Sequence, residues 1–275
     1  MAGVSSESLA AALVSLEAKL PGASLQLAKE LFGILGTVDS SAGLRRALTD
    51  PSRSGNEKSA LVKQLFGGKV SADAAEIASE LAGSRWASAR DIGDALETLA
   101  ASVVIAVAEN KSAVSASGIT GLEALENDLF SFSQAVESNH EVQRALSEPQ
   151  ASPASKIALA EKLVPGASEE AKVLIGQAVS QPRGLKVTRL VRRFAELAAK
   201  RQQRWIAEVS VTRPLTQTQA SRLQAALNGL YGRELKINMN VDPGLIGGIR
   251  IQVGDEVVDA SVLARLGQLH RQLAG

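Results

Sequence analysis

The stretch Leu-Lys-Ile-Asn-Met-Asn-Val-Asp-Pro-Gly-Leu-Ile-Gly-Gly-Ile-Arg-Ile-Gln-Val-Gly-Asp, residues 235–255, decides the fold of the carboxy-terminal part of the chain. Apolar residues alternate with polar ones from Leu235 to Val241, which is the period of a half-buried strand. The same period returns from Ile249 to Val253. Gly247-Gly248 stands where the second strand begins and is typical of a bulge or a close backbone approach. The stretch therefore predicts two strands.

The sequence on either side extends this small domain. Gly254-Asp255 is a turn signal that leads to a third apolar pair, Val257-Val258. Upstream, residues 205–212 alternate in the same way and predict a strand. Thr216-Gln217-Thr218-Gln219 has the form of a capping box at the start of a helix, and Ser261 is expected to cap a last helix. Residues 205–275 are thus expected to form a small α+β domain with a mixed sheet.

The first 204 residues contain an internal repeat at an offset of 98. Arg46–Pro51 recurs as Arg144–Pro149, and nine of the twenty positions between 46 and 65 are identical to those 98 residues later. Lys58 recurs as Lys156, and Arg85 recurs as Arg183. We predict two copies of one helical unit, residues 1–108 and 109–204, because biased composition would give roughly one or two matches.

Each copy is predicted to be an antiparallel helical bundle. In the second copy, helical spacing predicts a buried stripe, which Phe130 and Val136 widen. The stripe itself consists of Leu122, Leu125, Leu129 and Phe132. Further helices are expected over residues 168–180 and 185–200. The fold class is therefore mainly α and multidomain, with two related helical bundles followed by the small α+β domain.

Composition excludes several classes of function. The chain has 275 residues, no cysteine and a net charge of +1, so disulfides and thiolate chemistry are impossible and no global charge favours nucleic acid. The longest apolar run, Leu99–Ala108, is half of the roughly 20 residues that a membrane span needs. No basic cluster precedes the apolar run near the amino terminus, so no secretory signal is expected. We expect a soluble, intracellular protein.

No pattern predicts a catalytic, cofactor-binding or metal site. His140 and His270 lie in polar surroundings without ligand spacing. Gly67–Val70 resembles a phosphate loop but lacks the Ser or Thr after the lysine, so a turn between helices is expected. Four carboxylates near the carboxy terminus are either a cluster for a metal or for acid/base chemistry or, the interpretation that we favour, turn residues that hydrogen-bond the following backbone. They are Asp242, Asp255, Glu256 and Asp259.

Basic residues are concentrated between Arg183 and Glu208, with only two acidic residues among them. This run is either an ordinary solvated helix face or a surface for acidic protein helices. Nucleic-acid binding has the least support, because no aromatic residues are interleaved. Candidate partner contacts are Arg183, Arg189 and Arg193 in this run, together with Arg250 in the second predicted strand.

Several of these motifs resemble the delta subunit of F-type ATP synthases, whose mitochondrial counterpart is the oligomycin-sensitivity-conferring protein. The resemblance covers about residues 120–273. It is carried by Val241–Pro243, Leu245–Gly248, Arg250-Ile251 and Val253–Asp255, with upstream support from Pro214-Leu215-Thr216. The signature positions that the resemblance assigns to fold formation are Pro214, Asp242, Pro243, Gly247, Gly248, Gly254 and Asp259.

The resemblance implies a non-catalytic subunit of the peripheral stalk, or stator, in a proton-transporting ATP synthase. Residues 109–204 would bind the amino-terminal segments of alpha subunits and residues 205–275 the b stalk. One copy per complex is expected at the cytoplasmic face of the plasma membrane, peripheral and held there by the complex. The common form has one helical unit, so the partner of residues 1–108 is open: the stalk, a second alpha segment or the flank of the head. The alternative function is a helical-repeat adaptor unrelated to ATP synthesis.

Overall fold

The computed structural model describes residues 3–111, 121–203, 206–231, 235–242, 245, 247–253 and 256–259. Within these ranges the chain is mostly helical with a small sheet near its carboxy-terminal end, which confirms the predicted fold class. A short 3-10 turn covers Leu20–Gly22. The α-helices are α1 (Val4–Glu17), α2 (Leu25–Ser40), α3 (Ala42–Thr49), α4 (Gly55–Phe66), α5 (Ala72–Gly83), α6 (Asp91–Asn110), α7 (Gly121–Glu137), α8 (His140–Ser147), α9 (Pro153–Leu163), α10 (Glu169–Ser180), α11 (Val187–Gln203) and α12 (Gln217–Tyr231).

The helices follow the order and approximate spacing of the predicted repeat, with α2–α6 corresponding to α7–α11. The starts of α3 and α8 lie 98 residues apart, as do those of α4 and α9. The capping residues repeat as well. The Ser54 hydroxyl accepts the N–H of Glu57, and the Ser152 hydroxyl accepts the N–H of Ser155. Such caps satisfy N–H groups that a helix leaves unpaired, so they fix where both helices begin.

Residues 1–198 form one compact unit and residues 199–275 a second. In the first unit a single hydrophobic core runs from Leu16 to Ala198 and includes residues of both repeats. Helix α6 joins the repeats, since it packs on α2 of the first and on α7 and α10 of the second. Fourteen of its 20 residues are buried. The finer division at 108/109 and 204/205 stays a prediction.

The second unit contains a mixed sheet, as predicted, and the sheet has four strands. Its strands are β1 (Ile206–Val211), β2 (Lys236–Val241), β3 (Ile249–Val253) and β4 (Glu256–Asp259). Their order is β2-β1-β3-β4, with β1 parallel to β2 and antiparallel to β3. Ala207, Val209 and Val211 are buried, so the predicted alternation along β1 is confirmed.

The helix cap and the glycine conformations of this unit also agree with the sequence. Thr216 and Gln219 exchange the two hydrogen bonds of the predicted capping box, at 2.9 and 3.4 Å. Gly247 and Gly248 have φ values of 69° and 84°, a left-handed conformation that glycine adopts without steric cost. The predicted turn at Gly254-Asp255 and the last helix from Ser261 lie outside the described residues.

Strand β2 is more exposed than a half-buried strand would be. Met239 is 51% exposed and Val241 is 45% exposed. The strand was located correctly from its period, but it lies at the edge of the sheet. Alternation gives the direction of side chains and not the position of a strand within a sheet, so the sequence could not reveal this exposure.

Candidate partner-binding site

A cleft of about 880 Å³ lies along the beginning of α11 and is lined mostly by charged side chains. The cations outnumber the carboxylates, so the cleft is electropositive. The cations are Arg90, Arg183, Lys186, Arg189, Arg192 and Arg193. The carboxylates are Asp94 and Glu97 on α6, Glu137 on α7 and Glu196 on α11.

Arg183 lies at the inner end of this cleft and joins the two repeats. Its Nε lies 2.5 Å from Asp39 Oδ2 on α2, and its Nη1 lies 2.7 Å from Asp94 Oδ1 on α6. The side chain is only 8% exposed. Arg90 donates to the Arg183 carbonyl at 2.8 Å. A contact between Arg183 and a partner subunit stays a prediction. The contacts observed for its guanidinium are with residues of the same chain.

Glu97 completes the network from α6. Its side chain is 2% exposed, and its oxygens lie 3.7 Å from Arg183 Nη1 and 3.3 Å from Arg193 Nη1. Burial raises the pKa of Glu97 above its ordinary value, and the charges of Arg183 and Arg193 offset part of that rise. Arg193 also donates to Thr98 Oγ1 at 3.2 Å. A buried carboxylate is thus held between two arginines that follow it by about 90 residues.

The outer part of the cleft contains cations that form fewer ion pairs within the chain. Lys186 and Arg189 are exposed, and neither forms an ion pair with any residue that the structure describes. Arg192 Nη2 lies 3.2 Å from Glu137 Oε1, with side chains 65% and 51% exposed. An exposed pair of this kind contributes about 0–1 kcal/mol to stability. These side chains can therefore rearrange toward a partner at little cost.

Phe130 was placed in the buried stripe of the second repeat, and that prediction is wrong. The predicted stripe residues Leu125, Leu129 and Phe132 are fully buried, but Phe130 is 61% exposed. Its repeat counterpart Phe32 is only 7% exposed. Phe130 lies two turns before Glu137 on the same face of α7, and Glu137 lines the basic cleft. Helical spacing alone could not separate the two phenylalanines.

The difference arises because the second repeat covers the corresponding face of the first. One turn beyond Phe32, a Cβ at Gly36 would lie 2.8 Å from Gln181 Nε2. One further turn on, Asp39 meets Arg183. On α7 the corresponding positions, Gln134 and Glu137, are exposed. The same helix face is thus an interface in one repeat and an open surface in the other.

The remaining predicted residues lie away from this cleft. Arg250 is exposed on β3 and pairs in register with Asp259 on β4. Pro214 is exposed between β1 and α12, and the Asp242 N–H donates to the Val211 carbonyl at 2.9 Å. Pro243 and Gly254 lie outside the described residues.

The sites that the sequence argued against are ordinary surface features where they are described. His140 is exposed at the start of α8, and His270 lies outside the described residues. Gly67–Lys69 forms the expected turn after α4, with Gly68 at a φ of 75°. Among the described residues there is no group of three histidine or acidic side chains able to hold a metal ion. No helix in the described ranges is long and apolar enough to span a membrane.

Comparison with known proteins identifies the family. A family model described as ATP synthase delta (OSCP) subunit matches residues 110–273. ATP synthase subunit delta of Arthrobacter sp. strain FB24 is 90% identical over the whole of both chains, and that of Renibacterium salmoninarum is 64% identical over the same extent.

A chain in the cryo-EM structure of the Toxoplasma gondii mitochondrial ATP synthase hexamer is 21% identical. It has a TM-score of 0.34 over 64% of this chain and 95% of that chain. The alternative of an unrelated helical-repeat adaptor is excluded by the family match and the full-length relatives. The chain belongs to the ATP synthase delta (OSCP) subunit family, a family of non-catalytic stalk subunits.

Proposed function

We propose that this chain joins the alpha/beta head of an F-type ATP synthase to the b stalk through two separate surfaces. As a delta-family stator subunit it holds the head against rotation, so that torque from proton flow is converted into ATP synthesis. The proposed location is the cytoplasmic face of the plasma membrane, reached through the complex, with one copy per complex. A stiff protein contact of this kind depends on apolar anchors and charge complementarity rather than on reactive residues.

The surface proposed for the alpha subunit is the face formed by α7 and α11, which we call the α7/α11 face. The observation that carries this assignment is the 61% exposure of Phe130 where Phe32 is 7% exposed. An exposed aromatic ring on a helix that borders a basic cleft has the composition of an interface anchor with a polar rim. Arg189 and Arg193 supply the charge, and Arg183 holds α6 behind them. An amino-terminal alpha segment with apolar and acidic side chains would fit this face.

The surface proposed for the b subunit lies on the second unit. Its two edge strands carry exposed apolar side chains, namely Met239 and Val241 on β2 and Val257 and Val258 on β4. Exposed apolar residues on sheet edges favour association with another chain. Arg250 on β3 is the proposed charged contact in this unit. Binding of a b-subunit segment to a Val257→Asp variant tests the assignment, with an expected loss of affinity.

On its α2 face, the first repeat is proposed to support the second rather than to bind a second alpha segment. Its α2 face, which corresponds to the α7/α11 face, is already engaged by Gln181 and Arg183. A second alpha segment would have to displace a buried ion-pair network from this face, and breaking such a network costs several kcal/mol.

The alpha assignment is tested with a synthetic amino-terminal alpha peptide and the full chain. Phe130→Ala should weaken peptide binding by about tenfold, because a central aromatic anchor contributes more than 1 kcal/mol. Val14→Ala is the matched control, since Val14 is 75% exposed on α1 of the first repeat. Equal binding by the Phe130→Ala variant and the wild type would refute the α7/α11 face as the alpha site.

A further inference from the structure

A second electropositive cleft, of about 540 Å³, lies in the first repeat at the start of α4 and the end of α5. It combines basic side chains with an apolar wall. The lining residues that matter are Arg53, Lys58, Arg85, Trp86, Val4 and Pro51. We call it the Arg85 cleft.

The positive charge of the Arg85 cleft is poorly balanced. Lys58 is 3% exposed, and its Nζ makes one hydrogen bond, to the Ser84 carbonyl at 2.7 Å. Neither Lys58 nor Arg85 forms an ion pair with a residue in the described ranges. Burial lowers the pKa of Lys58 and the charge of Arg85 lowers it further, while the charge of Asp50 opposes part of this shift. Asp50 also lies 4.0 Å from Arg53. A buried ammonium with spare donors favours a carboxylate partner.

The chain itself contains a completed version of this arrangement. Arg85 corresponds to Arg183, and both lie in the connection between the fourth and fifth helices of their repeats. Arg183 is covered by two helices of the neighbouring repeat, which bring three carboxylates to within 4 Å of it. Arg85 is exposed, and no carboxylate of the described residues forms an ion pair with it. The Arg85 cleft is therefore the same kind of surface without its acidic cover.

We propose that the Arg85 cleft binds a carboxylate-bearing helix of another subunit in the assembled complex. The helix places its acidic side chains against Arg85 and Lys58, as Asp94 and Glu97 on α6 lie against Arg183. Charge complementarity and the internal precedent identify the occupant as an acidic protein helix. The proposal is independent of the alpha assignment, because it concerns a different repeat and a different surface.

A photo-crosslinking experiment on the assembled complex tests the proposal. Ala87 is exposed, lines the cleft and makes its hydrogen bond through the backbone. Benzoylphenylalanine at position 87 should crosslink to a helical segment of another subunit that carries at least two acidic residues. Crosslinks only within the chain, no crosslink, or a crosslink to a segment without acidic residues would overturn the proposal.

Charge reversal supplies the second arm. Arg85→Glu should weaken binding of the chain to complex stripped of this subunit by about tenfold, because like charges would then face each other. Replacing the acidic residues of the crosslinked segment by lysine should restore binding. Arg46→Glu is the control, since Arg46 is exposed on α3 and outside the cleft. Equal effects of the two reversals, or failure of the rescue, would overturn the proposal. Alpha-peptide binding by Arg85→Glu should remain unchanged, which separates this site from the α7/α11 face.

Discussion

Replacement of Arg183 by methionine is the sharpest test of how the two repeats are held together. Methionine fills much of the same volume but removes the charge that Asp39, Asp94 and Glu97 share. The left-handed backbone at position 183, with a φ of 50°, is kept, because methionine is also a side chain with a Cβ. The substitution therefore isolates the ion-pair network from the backbone conformation, which itself costs about 1 kcal/mol.

The expected loss in the free energy of unfolding is about 3 kcal/mol, at the lower end of the range for removing one partner of a buried ion pair. The lower end applies because Asp39 and Asp94 are 26% and 21% exposed and can recover water. Glu97 is 2% exposed and cannot do so. Urea unfolding followed by far-UV circular dichroism should show a midpoint lower by roughly 1 M, given the slope expected for a unit of this size.

The loss should also depend on pH. The folded-state pKa of Glu97 lies above its unfolded value of 4.5, so the folded state binds the proton more tightly. The stability penalty of this carboxyl is present above the raised pKa and disappears as pH falls through it toward 4.5. Without Arg183 the pKa rises further, so the penalty begins to disappear at a higher pH. The difference between variant and wild type should therefore shrink as pH falls from 7 to about 5.

Arg85→Met is the matched control, because Arg85 is the repeat counterpart of Arg183 and forms no ion pair with a described residue. It should change the free energy of unfolding by less than about 0.5 kcal/mol. If Arg183→Met costs no more than Arg85→Met, the network does not hold the repeats together and the argument fails. A difference that grows toward pH 5 would refute the role given to Glu97.

Three further predictions concern packing. Phe32→Ala should lower the free energy of unfolding by about 3–5 kcal/mol, because the Phe32 ring is only 7% exposed. Phe130→Ala should lower it by less than about 1 kcal/mol, because the Phe130 ring is 61% exposed. Equal losses in urea titrations would contradict the contrast between the repeats. Gly55→Ala should destabilise by about 1–3 kcal/mol, because its Cβ would lie 2.7 Å from the Gly83 carbonyl oxygen. Gly33→Ala, with nothing within 4 Å, should stabilise α2 by up to about 1 kcal/mol; thermal unfolding that moves both variants in one direction would argue against this. Removal of residues 1–108 deletes most of α6, which packs on α7 and α10. The remaining chain should therefore unfold at a lower urea midpoint than the full chain. An unchanged midpoint would show that the second repeat does not depend on α6.

The sequence predicted elements well where local chemistry determines them. The alternation along β1 and the Thr216 box act within a few residues, and both are confirmed. The Ser168 side chain likewise caps the helix expected over 168–180. Caps and strand periods are short-range effects, so one sequence contains all the information they need.

Features that depend on distant residues could not be predicted. Arg183 was grouped with its basic neighbours, whereas its carboxylate partners lie 144 and 89 positions earlier in the chain. Phe130 fits a core stripe by spacing, but its burial depends on whether another repeat covers α7. The repeat itself carries the relevant signal. The second repeat covers the α2 face of the first, and a further repeat would be needed to cover the α7 face in the same way. The apolar run Leu99–Ala108 predicts one helix. Its burial on nearly all sides arises because helices of both repeats pack on it.

The position of helix α6 between the two repeats has a mechanical consequence, because a stator subunit transmits force. At 1.5 Å per residue, its 20 residues form a rod about 30 Å long. Because this rod belongs to the cores on both sides, the two bundles cannot bend about a flexible tether between them without breaking backbone hydrogen bonds. A force applied to one bundle therefore reaches the other through the side chains that pack on α6. The second bundle is added without a compliant joint at this shared helix.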